Sequence, residues 1–557
     1  MPIMIRLQLL ALLVLLTAST TLAQEFVGWL PEKTVGYLSI EDSARLRERL
    51  GKSAFHAMWN DEAMKPLREL IEKEMAEEAT GKSSPEEFLD LLQGQVCVAG
   101  VPVSANDTAG VVLVDLKGKR RELLDLMQRL DDEEEGEVRK EEEDFHGYTL
   151  TTVRRLVEGA EEPEVEYQFV KDDLFGFATD LDVLKDIITR REAGDETGLG
   201  NWEPHKKVVA ATASRPDLRW YISSSLWLRE YGAMAAPFLA ALGMEKVKAV
   251  GGQFSINERG IHSQVVIQNE GEARGIMKLL GTNIENLGPP AILPPDVDPA
   301  FTVGIDWQFV YSEAMRLLKM FEPDSVGAIE GMVGQFEQQL GMRLYDDILA
   351  AMAPGLTYSF LPIPEAELAK APKGVEFAQF AAQFVVVFQK LRNVETIQAL
   401  LAKMTAEEGS PYKEVVYLGT KIYESEAPGL PAFAVIDGQL AFGMRTDSLR
   451  ALIQRQGKEL KSFRDTDAYK RALSLAPAKR SMLMVSNPEG ASGSSLFWTG
   501  VMEGLKQAPA GDEVAQAVPP IEFIEKYQDV SVFSISTEEQ GLVFNWFMGL
   551  KAPAADK

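Results

Sequence analysis

The chain has 557 residues, 46% of them hydrophobic, and its 57 lysines and arginines stand against 84 acids, a net charge of -27. That balance argues against nucleic acid and anionic membrane surfaces as partners of the chain as a whole, because both repel an acidic chain. The single cysteine, Cys97, excludes an intrachain disulfide, so stability rests on buried apolar surface, enough for two large cores.

At the N-terminus one cation, Arg6, precedes the apolar run Leu7 to Thr17, and Thr21-Leu22-Ala23 follows. This is the pattern of a secretory signal peptide cleaved after Ala23. The longest later apolar run, Ala233 to Met244, is too short for a span and contains Pro237. The expectation is a secreted or periplasmic protein with no transmembrane segment once the signal is removed.

The rest of the chain reads as a tandem repeat. Val170 to Phe177 followed by Asp182 to Ile188 returns in register as Val435 to Phe442 followed by Asp447 to Ile453. Each copy opens with a strand, Val35 to Ile40 or Phe301 to Ile305, and continues into helices: Ala44 to Leu50 and Glu62 to Glu78, against Ser312 to Met320 and Val326 to Leu340. Ser84-Pro85-Glu86-Glu87 is a capping box. A strand feeding a helix follows, Gly110 to Asp115 into Arg121 to Leu130, and Phe384 to Phe388 into Val394 to Met404.

Next, Asp437-Gly438 between two apolar strands predicts a tight hairpin, with Asp172-Asp173 at the equivalent turn. Helices capped by Asp182 and Asp447 are expected after it. Each copy closes with a hairpin, Gly252 to Val266 or Ser531 to Phe547. The acidic run Asp131 to Asp144 reads as an insertion of the first copy, lying in solvent. The fold class is therefore α+β, two tandem copies with antiparallel sheets and hairpins covered by helices. Residues 1–23 form the signal peptide, 24–285 the first copy and 286–557 the second.

Reactive side chains are sparse. His56, His146, His205 and His262 occur singly, all in the first copy, and read as surface or loop residues. None shares the convergent spacing of a metal site, and no cofactor motif is present. Cys97 sits in a strand and reads as a small apolar side chain. Gly51-Lys52-Ser53 and Gly81-Lys82-Ser83 lack the spacing of a phosphate loop, and Gly490-Ala491-Ser492-Gly493 lacks that of a nucleophile elbow. Asn106-Asp107-Thr108 matches a glycan acceptor triplet. The tryptophans stand mostly in apolar contexts and read as core. Acids kept in both copies are Glu41 with Asp306, Asp172 with Asp437, and Asp182 with Asp447. Catalytic residues stay unassigned.

In layout the chain resembles exported bacterial proteins of a domain-of-unknown-function family. The resemblance rests on the signal peptide, Leu30-Pro31 leading to Tyr37-Leu38-Ser39-Ile40, and Phe55 to Asp61. It implies export and carries no known activity, substrate or catalytic residue. The function expected is a non-enzymatic binding or envelope-associated structural role with an envelope or extracellular partner. An apolar or lipid-like small molecule between the copies is one candidate ligand. The alternative is a carbohydrate-active hydrolase using a carboxylate pair.

Overall fold

A computed structural model describes residues 25–551 apart from 79–86, 88–89, 105–106, 134–136, 157–162, 195–197, 213–214, 226–238, 371–379, 381, 407–408, 426, 428, 489–516, 518, 520–522 and 524–525. The signal peptide, the Ser84 capping box, the Gly81 and Gly490 segments and the Asn106 end of the glycan triplet lie outside the described residues. The fold is α+β. Among the described residues no helix is long and apolar enough to cross a membrane.

Among the described residues one antiparallel sheet of 20 strands organises the fold. The first half contributes β1 (Gly36–Ile40), β2 (Val96–Pro102), β3 (Thr108–Asp115), β4 (Glu137–Phe145), β5 (Tyr148–Leu156), β6 (Glu164–Lys171), β7 (Leu174–Ala178), β8 (Leu218–Ser223), β9 (Val247–Asn257) and β10 (Gly260–Asn269). A two-stranded ribbon, β11 (Ile284–Glu285) with β19 (Lys479–Arg480), ties the connection between halves to the second half. That half contributes β12 (Ala300–Val303), β13 (Met352–Phe360), β14 (Val385–Leu391), β15 (Tyr412–Tyr417), β16 (Thr420–Ser425), β17 (Ala432–Ile436), β18 (Gln439–Gly443), β20 (Met482–Ser486), β21 (Ser531–Glu538) and β22 (Gly541–Gly549).

From one edge the strands run β4-β5-β6-β7-β3-β2-β1-β8-β9-β10. From the other edge they run β15-β16-β17-β18-β14-β13-β12-β20-β21-β22. The two series meet where β10 pairs with β22, with Gln264 opposite Asn545. Strand succession is thus the same from either end. The hairpin turns follow their chemistry: Asp437 and Gly438 both take positive φ (49° and 73°), as a type I′ turn requires. At the equivalent turn Asp172 takes positive φ, 53°, but Asp173 does not, so the type I′ geometry is not shared.

Two expectations are corrected here. The acidic run is not an insertion in solvent. From Glu137 onward it is β4, an edge strand laddered to β5, and β15 holds the corresponding place at the other edge. Its charges stay in water while the backbone pairs, a common way of guarding an open edge. The helix after β7 starts two residues earlier than expected, because Asp180 and not Asp182 accepts the cap bond, from the Val183 N–H at 2.9 Å. In the second half Arg445 holds the cap position without a side-chain bond, and Asp447 lies in the first turn.

Helices cover both faces of the sheet in the first half. Leu184, Ile187 and Ile188 of the helix Leu181–Ala193 pack with Tyr37, Val111 and Tyr221, while Leu46 and Leu126 pack on the opposite face with Ile40, Val96 and Val114. Each half also braces a connection of the other. Tyr527 donates to Asp61 Oδ2 at 2.8 Å, and Arg316 donates to the Ala241 carbonyl at 2.5 Å. Arg316 belongs to the helix Trp307–Phe321, which with Pro323–Leu340 forms a largely uncovered helical hairpin. No residue of the first of these helices is buried, and Phe321 is 52% and Met332 61% exposed.

Candidate functional site

The seam between β10 and β22 carries an unusual distribution of polarity. Cross-strand partners lie on the same face of a sheet, so the register defines rows of side chains running across it. One row reads Cys97, Ser39, Arg219, Gln253, Gln264, Asn545, Ser534, Leu483, Thr302, Thr357. All of these except Gln264 are buried. Gln253 donates to the Gln264 side-chain oxygen, Gln264 donates to Asn545 Oδ1 at 2.6 Å, and Thr302 and Thr357 share a bond of 3.0 Å. Hydrogen bonding of this kind offsets the cost of burying amides and hydroxyls.

The opposite face holds the converse. Its row reads Phe254, Ser263, Trp546, Phe533, Met484, Phe301, Tyr358. These side chains are half-buried, and Trp546 is 45% exposed. Trp546 is therefore not core, contrary to the expectation for the tryptophans. Buried polar groups and exposed large apolar ones are the informative exceptions on a protein surface. Here they occupy the two faces of the same strands. Gly252 assists the arrangement, since a Cβ there would meet the Gln264 carbonyl oxygen at 2.3 Å and the Trp220 ring nitrogen at 3.0 Å.

Beside the seam the first half buries a charge network. Asp217 accepts from Arg49 Nη1 at 2.9 Å and from the Ile256 N–H at 2.7 Å, with Arg45 at 3.6 Å. Glu41 lies 3.5 Å from Arg219, and both are buried. Burial pushes the Glu41 carboxyl up to about 7 against the pull of Arg219, and the Asp42 carboxyl up to about 6 against that of Lys117. The Tyr37 hydroxyl bonds His205 Nε2 at 2.8 Å. His205 is buried, not a surface residue, because the helix Glu203–Ala210 turns it under the sheet. Burial lowers it to about 3, so it stays neutral. Cys97 is buried and its thiol is pushed up to about 12.

Asp217, Glu41 and Arg219 are enclosed, while Arg49 and Lys117 reach solvent. The chemistry is that of an ion cluster, and no local signal in the sequence marked it. The acids kept in both halves are not brought together. Twelve strands separate β7 from β18, so the Asp172 and Asp437 turns stand far apart along the sheet, as do Asp182 and Asp447. Asp306 caps the helix Trp307–Phe321 through the Phe309 N–H, the position before a helix that Asp42 holds in the first half; Glu41 is not its counterpart. Among the described residues no three His, Cys, Asp or Glu side chains gather as metal ligands.

Glu41 and His205 oppose each other in their effect on stability. The folded chain holds the Glu41 proton more tightly than the unfolded chain, so this contribution is complete below about pH 4.5 and is lost as pH rises to about 7. His205 disfavours its proton when folded; its contribution is complete above about pH 6.5 and is lost as pH falls toward 3. Glu41→Gln is therefore expected to make stability rise more steeply between pH 5 and 7 than in the parent chain. Urea unfolding at the two pH values measures it, and an unchanged difference between them would refute the assignment.

No family model matches the chain, and no curated protein does. Solved structures of TP0453 are similar to part of it. Crystal form I aligns at 10% identity over 46% of this chain and 82% of that one, with a TM-score of 0.25. Form III aligns at 9% over 45% and 84%, TM-score 0.25, and form IV at 9% over 43% and 79%, TM-score 0.23. A likeness of this degree carries no argument about function.

Proposed function

We propose that this protein is an exported, non-enzymatic binding protein built from two copies of one α+β unit, 24–285 and 286–557, which holds a lipid-like ligand at the seam between them. The observation that carries the reading is the inverted seam. Central strands ordinarily bury their apolar face and show water their polar one. Here Trp546, Phe533, Met484, Phe301 and Tyr358 line the half-exposed face as one uncharged row.

A hydrocarbon chain laid along that row removes the exposed ring area from water. The gain is on the order of 10 kcal/mol before the costs of association. The apolar leader Leu7 to Thr17 supports export. The enclosure of Cys97, His205 and Asp217 supports binding over catalysis, since none of them is open to a substrate.

Bromine-labelled stearate titrated into the protein tests the reading. Tryptophan fluorescence is expected to fall with saturation, and Trp546→Phe to remove most of the quenching. Saturating quenching that survives intact in the variant would place the ligand elsewhere. Absence of quenching, with no hydrocarbon seen by native mass spectrometry of protein purified from its own source, would sink the proposal.

A further inference from the structure

A cleft of about 750 Å³ opens where the β9–β10 turn meets the second half. Its wall includes Arg49, Lys52, Arg215, Arg259 and Arg471 against a single acid, Glu258. Arg49, Lys52 and Arg471 are each paired with an acid outside the wall, so in a chain with 57 cations and 84 acids the excess that the cleft presents is Arg215 and Arg259 beside Glu258. Both halves line the cleft: Arg471 comes from the helix Asp467–Leu475, the other four cations from the first half.

The cations are held in two ways. Arg49, Lys52 and Arg471 are paired with acids outside the cleft, Asp217 at 2.9 Å, Glu48 at 2.5 Å and Asp529 at 2.6 Å. Arg471 also lies over the Phe547 ring at 5.9 Å, and its enclosed Nη2 has no hydrogen-bond partner among the described residues. Arg215 and Arg259 have no carboxylate within ion-pair distance among the described residues, and both are exposed. Fixed guanidinium forks beside free ones match the oxygens of a multiply charged anion, which Arg recognises with paired N–H donors. Ser255 and Phe547, which also line the cleft, flank the Gln253-Gln264-Asn545 row, so it opens on the polar face of the seam, away from the aromatic row.

We infer that this cleft is a binding site for a phosphate-bearing ligand. The inference rests on the cleft's charge and not on the aromatic row, and it stands if the lipid-like reading fails. Inorganic pyrophosphate serves as the soluble probe, and vesicles of phosphatidylglycerol, with phosphatidylcholine as control, as the membrane probe. Isothermal titration and vesicle sedimentation are run on the full mature chain, on Arg215→Ser/Arg259→Ser, and on Arg120→Ser/Arg121→Ser as a remote exposed control.

The parent chain is expected to bind pyrophosphate, with at least a tenfold loss in the cleft variant and none in the control. Pelleting with phosphatidylglycerol alone, lost in the cleft variant, also upholds the site and assigns the phosphate to a lipid headgroup. If the parent chain binds neither probe, or the cleft variant binds as well as the parent, the site is refuted. Both cleft substitutions are at exposed positions, so a change in folding is read separately by circular dichroism.

Discussion

Asp217→Ala is expected to lower folding stability by about 3 kcal/mol, the effect of removing one partner from a buried ion cluster. The side chain is fully enclosed, and it accepts from Arg49 Nη1 with both oxygens, at 2.9 and 3.2 Å. It also receives the Ile256 N–H at 2.7 Å, which ties the start of β8 to the end of β9. Alanine leaves that N–H without its acceptor and Arg45 and Arg49 without their counter-charge. Asp217→Asn keeps the shape and an acceptor but not the charge, so its loss should be smaller. Equilibrium unfolding in urea measures both, and an alanine variant within 0.5 kcal/mol of the parent, about the scatter of ordinary surface substitutions, would show that the cluster contributes nothing net.

Val543→Pro is expected to cost about 3 kcal/mol or more, and to do so at the seam. Val543 lies within β22, opposite Val266 of β10 and Ser536 of β21, and it is buried. A strand paired on both sides uses every N–H in a ladder, and proline removes one while its ring crowds the backbone. Because β10–β22 is the junction of the two strand series, the damage should appear as separation of the halves. Limited proteolysis should release fragments cut near the connection at residues 281–295 faster than in the parent. Unchanged stability and an unchanged cleavage pattern would mean that the seam ladder does not hold the halves together.

Local structure was legible wherever short-range chemistry dictates it. The Asp437-Gly438 turn was readable because only residues tolerant of positive φ fit a two-residue hairpin. Helices such as Val394–Ala406 were readable from apolar spacing, and Cys97 from its apolar strand. Other features were not. A strand made almost wholly of charged residues, such as β4, resembles a solvated run, since its pairing lies in the backbone and leaves no mark on the side chains. His205 was unreadable for a related reason: one histidine on a short helix shows nothing of the tyrosine it will meet, which lies 168 residues earlier in the chain.

The seam divides the two kinds of knowledge. By itself the sequence determined the α+β class, the hairpins and the absence of matching reactive residues in the two halves, because propensity, turn geometry and residue identity are local properties. It also supplied the alternation of Gln253, Gln264 and Asn545 with Phe254, Val265 and Trp546. Alternation of that kind tells only that two faces exist. Which face is closed by helices and which meets water depends on how β10 pairs with β22 and where each half's helices fall. Only the tertiary structure decided that the polar face is buried and the aromatic face half-open, and that five cations from two halves share one cleft.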